Sequence, residues 1–126
     1  MRSDNRGMRD HRKLRAFELA DSLVLSIYRE SRGFPREEQF GLTSQLRRAA
    51  VSVASNIVEG CARNSQADYL RFLDMAFGSI REVEYQLTLA ARLDYLNPDA
   101  AVALTKQADE TARVLAGLLR SLRSEP

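Results

Sequence analysis

Apolar residues recur along the chain at helical spacing in four separate blocks. In the first, Phe17, Ala20, Val24, Ile27 and Tyr28 share one stripe, and Leu19 and Leu23 widen it. That pattern predicts a helix from about Leu14 to Ser31, stopped by Gly33 and Pro35. The segment from Gly33 to Gly41 reads as a loop, with Phe34 and Phe40 expected to fold onto the bundle end. The second block places Leu42, Leu46, Ala49, Ala50, Val53 and Ile57 within about 80° of one another at 100° per residue. Its helix is predicted to start near Leu42, with Thr43 or Ser44 as cap, and to run to about Ala62.

The third block starts after Ser65, which stands three residues before Asp68 in capping-box spacing. Its stripe is Tyr69, Phe72, Leu73, Ala76, Ile80, Val83, Leu87 and Ala90/Ala91, and its predicted end is Leu93. Asn97, Pro98 and Asp99 open the fourth block: a good N-cap, a residue suited to the first helical position, and an acid for the positive end of the dipole. Ala101, Leu104, Ala108, Ala112, Leu115, Leu118/Leu119 and Leu122 follow in register. Four helices with short connections are most simply an all-α, antiparallel up-down four-helix bundle. The chain divides into a basic, flexible N-terminal arm over 1–13 and the bundle over 14–123.

Composition narrows the function classes. The 126 residues suffice for one domain with a real core, and the 44% hydrophobic and 29% charged content is an ordinary globular balance. Apolar runs fall far short of a bilayer span and no leader-like segment follows the N-terminal basic residues, so a cytoplasmic protein without a membrane partner is expected. One cysteine, Cys61, makes no internal disulfide, and one histidine, His11, builds no multi-histidine metal site. No phosphate loop, dinucleotide fingerprint or Cys-x-x-Cys occurs. A serine triad would need His11 from the arm, and Cys61 has no histidine placed to activate it. Glu59, Glu82 and Glu84 make an acid pair only if the fold brings them together. We therefore expect no catalytic residues, no metal and no cofactor.

Charge is uneven. The net charge is +2 overall, but residues 1–15 carry six basic groups against two acidic ones, leaving the remainder at −2. The arm is the natural place for contact with nucleic acid or an acidic partner; a solubilising tail is the plainer alternative.

Two surfaces stand out on the predicted helices. On helix two, Gln45, Ser52, Asn56, Glu59 and Arg63 form a polar line beside the core stripe, with Arg48 at its edge. This line reads as a wet flank with pairs such as Glu59 and Arg63, as a structural network at a helix or subunit contact, or as a catalytic site. Val51, Ala54 and Val58 lie on the opposite flank of helix two, and Met75, Leu89 and Leu93 lie off the stripe of helix three beside Ser79, Glu82 and Gln86. A second partial apolar stripe on two helices suggests an oligomer.

Several segments together carry a resemblance. They are Phe34-Pro35, Phe40-Gly41-Leu42-Thr43, Gln45-Leu46-Arg47-Arg48-Ala49-Ala50-Val51-Ser52-Val53, Asn56-Ile57-Val58-Glu59-Gly60 and Ala76-Phe77-Gly78-Ser79-Ile80-Arg81-Glu82-Val83-Glu84. The chain resembles the bacterial four helix bundle protein family, also called the 23S rRNA intervening-sequence protein family, from about Leu14 to Leu96. Helix four matches only in pattern. The resemblance implies an up-down bundle assembling as a ring-like homopentamer, with no attributed enzymatic activity and, for most members, no known function. Members are encoded within insertions in ribosomal RNA genes or stand alone. A related branch, the accessory protein of diversity-generating retroelements, is a basic pentameric barrel that binds nucleic acid and a reverse transcriptase. The motif falls on Gln45, Arg48, Ser52, Asn56, Glu59, Gly60, Ser79 and Glu82, which we read as structural. The acidic body departs from that basic branch, so RNA or DNA binding would rest on the arm (Arg9, Arg12, Lys13, Arg15) and on Arg47, Arg48 or Arg63. The alternative is a module for another protein partner, using Val51/Val58 or Met75/Leu89.

Overall fold

Each predicted helix forms, and the way each begins or ends explains where it sits. The computed structural model describes residues 9–125. Its helices are α1 (Arg15–Ser31), α2 (Leu42–Cys61), α3 (Gln66–Arg92) and α4 (Pro98–Arg123), with 3-10 turns at His11–Lys13 and Arg36–Glu38. No strand occurs among the described residues. Ser65 accepts a hydrogen bond from the Asp68 N–H at 3.1 Å, and Asn97 accepts one from the Ala100 N–H at 2.8 Å, so the sequence caps of α3 and α4 are used.

The start of α2 differs from expectation. Neither Thr43 nor Ser44 caps it; the N-cap is Gly41, and the Glu38 carboxylate accepts from the Leu42 N–H at 3.0 Å. The 3-10 turn swings Glu38 over the first turn of α2, where a negative group is favoured. The same carboxylate accepts from the Tyr95 hydroxyl at 2.8 Å, tying the α1–α2 loop to the α3–α4 connection. That connection turns at Asp94, whose φ of 61° is the left-handed conformation that commonly ends a helix.

The four helices form a square. α2 packs on α1 and α3, and α4 closes the ring against α3 and α1. Neighbours run antiparallel: Arg47 of α2 meets Ser31 at the end of α1, Ser52 of α2 meets Ser79 of α3, and Asp74 of α3 meets Arg123 at the end of α4. Leu23, Ile27, Leu46, Val53, Ile57, Leu73, Ile80, Val83, Leu87 and Leu115 fill the centre and are buried. Burying such a side chain is worth about 1.5–3 kcal/mol each.

Several details of the stripes shift. The inner face of α1 is Ala16, Ala20, Leu23 and Ile27; Phe17 and Val24 flank it, and Tyr28 is exposed. The face turns because α1 lies between two partners, α2 and α4. Phe34 folds onto the bundle end against Tyr95, with ring centroids 5.6 Å apart, whereas Phe40 stays 89% exposed. Thr111 enters the core of α4 because its hydroxyl donates to the Gln107 carbonyl at 2.8 Å.

Candidate functional site

The polar line of α2 faces α3. Ser52 Oγ and Ser79 Oγ lie 2.9 Å apart, and the Asn56 amide donates to Ser52 Oγ at 3.0 Å and to the Ser52 carbonyl at 2.9 Å. One turn nearer the start of α2, Gln45, Arg48 and Ala49 join Ser52, Ser79 and Glu82 around a groove of about 280 Å³. Glu82 accepts a long 3.4 Å hydrogen bond from Gln86, a buried side chain whose other amide atom has no partner.

The line is not uniform. The expected Glu59–Arg63 side-chain pair does not form. Arg63 donates to the Glu59 carbonyl at 3.2 Å and lies over the Phe72 ring at 5.2 Å, which removes its charge from reach of the carboxylate. At Gly60 the helices come close: a Cβ there would stand 3.0 Å from the Phe72 Cβ. Ser52, Asn56 and Ser79 therefore form a shared network. Arg48 and Glu82 stand exposed on its rim, and Glu59 is exposed farther along.

The basic candidates are mostly engaged within the chain. Arg9 donates to the Arg63 carbonyl at 3.0 Å and to Gln66 Oε1 at 3.2 Å, and its guanidinium lies 4.0 Å over the Tyr69 ring. Arg12 is paired with Asp10, whose carboxyl is held below its ordinary range by the Arg12 guanidinium and backbone N–H. Arg15 meets Glu110 at 2.8 Å. Arg47 donates to Ser31 Oγ at 2.8 Å and to the Tyr28 carbonyl at 3.3 Å, closing the end of α1, and stacks on the Tyr28 ring. Lys13 and Arg48 are exposed and stand in no ion pair among the described residues. The last five residues of the expected flexible arm, 9–13, are thus fastened to the bundle, because Arg9 and the 3-10 turn find partners there. Arg2, Arg6 and the rest of 1–8 lie outside the described residues.

Among the apolar candidates, Val51 and Met75 are exposed, at 38% and 40%. Val58 and Leu89 are half-buried, and Leu89 packs on the core. More exposed apolar side chains lie outside the stripes, among them Tyr85 and Val102. These two line a groove of about 810 Å³ between α3 and α4, rimmed by Arg81, Glu84, Lys106 and Asp109. Their only sequence signal is an apolar residue off the core stripe.

The groups weighed for catalysis lie apart. Cys61 is buried beside Tyr69, and burial pushes its thiol up. His11 meets the Phe17 ring edge-on at 4.7 Å. Glu82 borders the α2 groove, while Glu84 borders the α4 groove, where desolvation raises its carboxyl. The three glutamates do not converge. Among the described residues no helix is long and apolar enough to cross a membrane.

Comparison with known proteins places this architecture. No curated protein matches the chain. A solved structure from Bacteroides thetaiotaomicron, described as a protein with unknown function from the S23 ribosomal protein family, superimposes with a TM-score of 0.77. It is 22% identical, over 83% of this chain and 95% of that one, a likeness of fold. The profile of the 23S rRNA-intervening sequence proteins matches residues 12–117, most of the helical bundle. The chain belongs to the 23S rRNA-intervening sequence protein family.

Proposed function

We propose that the protein is a cytoplasmic, non-enzymatic binding protein that assembles with copies of itself as a ring-like pentamer and engages RNA or DNA through exposed arginines. The observation that carries the nucleic-acid part is the fate of the cations. Several arginines pair with acids inside the protomer, yet Lys13 and Arg48 remain exposed outside any ion pair among the described residues. Unpaired surface cations gain most from a phosphate backbone, through release of its counterions. Self-assembly is supported by Val51, Met75 and Leu93, large apolar side chains that the protomer leaves in solvent on α2 and α3.

A second reading, a scaffold for another protein, is favoured by the mainly apolar groove between α3 and α4. Two measurements separate the parts. Light scattering of the pentamer gives five times the 14.2 kDa protomer mass; a protomer mass sinks the assembly. Fluorescence anisotropy with structured RNA and duplex DNA across a salt series gives steeply salt-dependent binding. Absence of binding at low salt leaves the protein scaffold as the standing reading.

A further inference from the structure

The junction between α1 and α2 holds a pocket of about 400 Å³, apart from the α2–α3 and α3–α4 grooves. Arg32 from the end of α1, Arg36 from the 3-10 turn and Arg47 from α2 line it, together with Gln39 and Thr43. None of the three arginines is in an ion pair among the described residues, whereas Arg12, Arg15, Arg71, Arg81, Arg113 and Arg123 all have carboxylate partners. The nearest acids do not answer them. Glu38 is turned away to the Leu42 N–H and the Tyr95 hydroxyl, and neither Glu30 nor Glu37 lines the pocket.

Two further features point outward. Thr43 borders the cavity, and its hydroxyl has no hydrogen-bond partner among the described residues and is open to solvent there. Phe40, one residue beyond the pocket-lining Gln39, is 89% exposed. Arg47 is already held by Ser31 and the Tyr28 carbonyl, which fixes one wall of the site before any ligand arrives. Three arginines thus border one cavity without a carboxylate among its lining residues, and planar guanidinium forks match phosphate oxygens.

We propose that this pocket binds a phosphate group and that Phe40 beside it stacks on a base, so that a single-stranded nucleic acid attaches at the α1–α2 end of the bundle. The proposal rests on the nucleic-acid reading above and moves its centre from the N-terminal arm to Arg32, Arg36 and Arg47. Phosphate contact supplies affinity without sequence choice, and an exposed aromatic ring accepts any base face.

The test uses the full chain and a fluorescein-labelled single-stranded RNA of about 20 nucleotides, long enough to cover several phosphate sites, across a salt series. R32A/R36A removes two exposed side chains and leaves the core untouched. K106A/R120A removes the same charge elsewhere. R32A/R36A is expected to weaken binding about tenfold near 100 mM salt and to lower the log–log salt slope by about 1.4, the loss of two phosphate contacts. K106A/R120A should change affinity less than about threefold, and F40A should weaken RNA at least about fivefold while leaving inorganic pyrophosphate binding unchanged. If the wild-type chain binds RNA and R32A/R36A binds it equally well, the pocket assignment is overturned and the nucleic-acid reading survives. Equal losses in the two double variants overturn it as well, since only bulk charge would matter. If the wild-type chain binds no RNA at low salt, both fall. Pyrophosphate binding that R32A/R36A abolishes, without RNA binding, overturns the strand as occupant and gives the pocket to a small phosphorylated ligand.

Discussion

Ser52 of α2 and Ser79 of α3 face each other across the α2–α3 interface, with their hydroxyl oxygens 2.9 Å apart. Asn56 donates to Ser52 from one turn further along α2, so the hydroxyl of Ser52 joins both helices to one amide. A small polar contact in a helix interface sets the sliding register, because shifting either helix by one turn leaves its partner groups unpaired.

S79A removes one hydroxyl and leaves Ser52 still bonded to Asn56. We expect a loss of about 1 kcal/mol in urea unfolding. S52A removes the partner of Ser79 and one of the two acceptors of the Asn56 amide, whose bond to the residue 52 carbonyl stays, and should cost about 1–2 kcal/mol. If the double variant costs no less than the sum of the singles, the serines do not act as a pair.

Two glycines in helices should respond oppositely to alanine. A Cβ on Gly60 would meet the Phe72 Cβ at 3.0 Å, Tyr69 Cδ1 at 3.3 Å and the Tyr69 carbonyl at 3.4 Å. Two of those atoms are backbone or next to it, so α2 and α3 must part. G60A is expected to destabilise by about 1–3 kcal/mol despite alanine's better helix propensity. A Cβ on Gly78, in α3, would meet nothing within 4 Å. G78A should therefore stabilise by about 0.5–1 kcal/mol. Thermal melts of the two variants check both signs at once.

The helices were legible because each carries a 3.6-residue apolar period and, for α3 and α4, a cap written in the residues just before it. Contacts between distant segments were not. Glu38 caps α2 only after a 3-10 turn carries it there, so Thr43 and Ser44 were the better local guess. Arg9 looked like part of a free arm because Arg63 and Tyr69, its partners, lie more than fifty positions away. The polar line on α2 was visible as a line, but its main partner, Ser79, belongs to the facing helix. Arg32 and Arg36 carry no signal in the sequence, since only the folded loop brings them to the pocket that Arg47 also lines.

Glu38 joins the α1–α2 loop to α2 and to Tyr95, and these two hydrogen bonds hold its carboxyl below the ordinary 4.5, the Leu42 N–H first and the Tyr95 hydroxyl second. A depressed carboxyl contributes stability above its unfolded pKa and loses it as pH falls through the folded one. E38Q should lower the urea midpoint at pH 7 and flatten the decline below about pH 4.5 relative to wild type. Y95F should show a smaller shift of the same sign. An E38Q profile parallel to wild type in acid would show that another carboxylate governs that decline.

Tyr69 lies at the other end of the bundle, under Arg9 and beside Cys61. Burial first, then its neighbour Cys61, pushes its phenol up to about 12, against the opposing pull of Arg9. Ionising it means placing a phenolate where little water reaches. Because the folded pKa exceeds the unfolded one, the stability this residue contributes is complete below about pH 10 and declines as pH rises towards 12. Y69F carries no such group, so the gap between wild-type and Y69F stability should narrow over that window. Difference absorbance at 295 nm should show one tyrosine fewer titrating near pH 12 in Y69F, about the interval where the phenolate band grows last. The buried Cys61 thiol is shifted in the same direction, so a thiol reagent at pH 8 should label it at least about a hundredfold faster in urea than in the folded protein. Equal labelling rates would mean that the site around Cys61 and Tyr69 stands open most of the time, and the late tyrosine titration should then disappear with it.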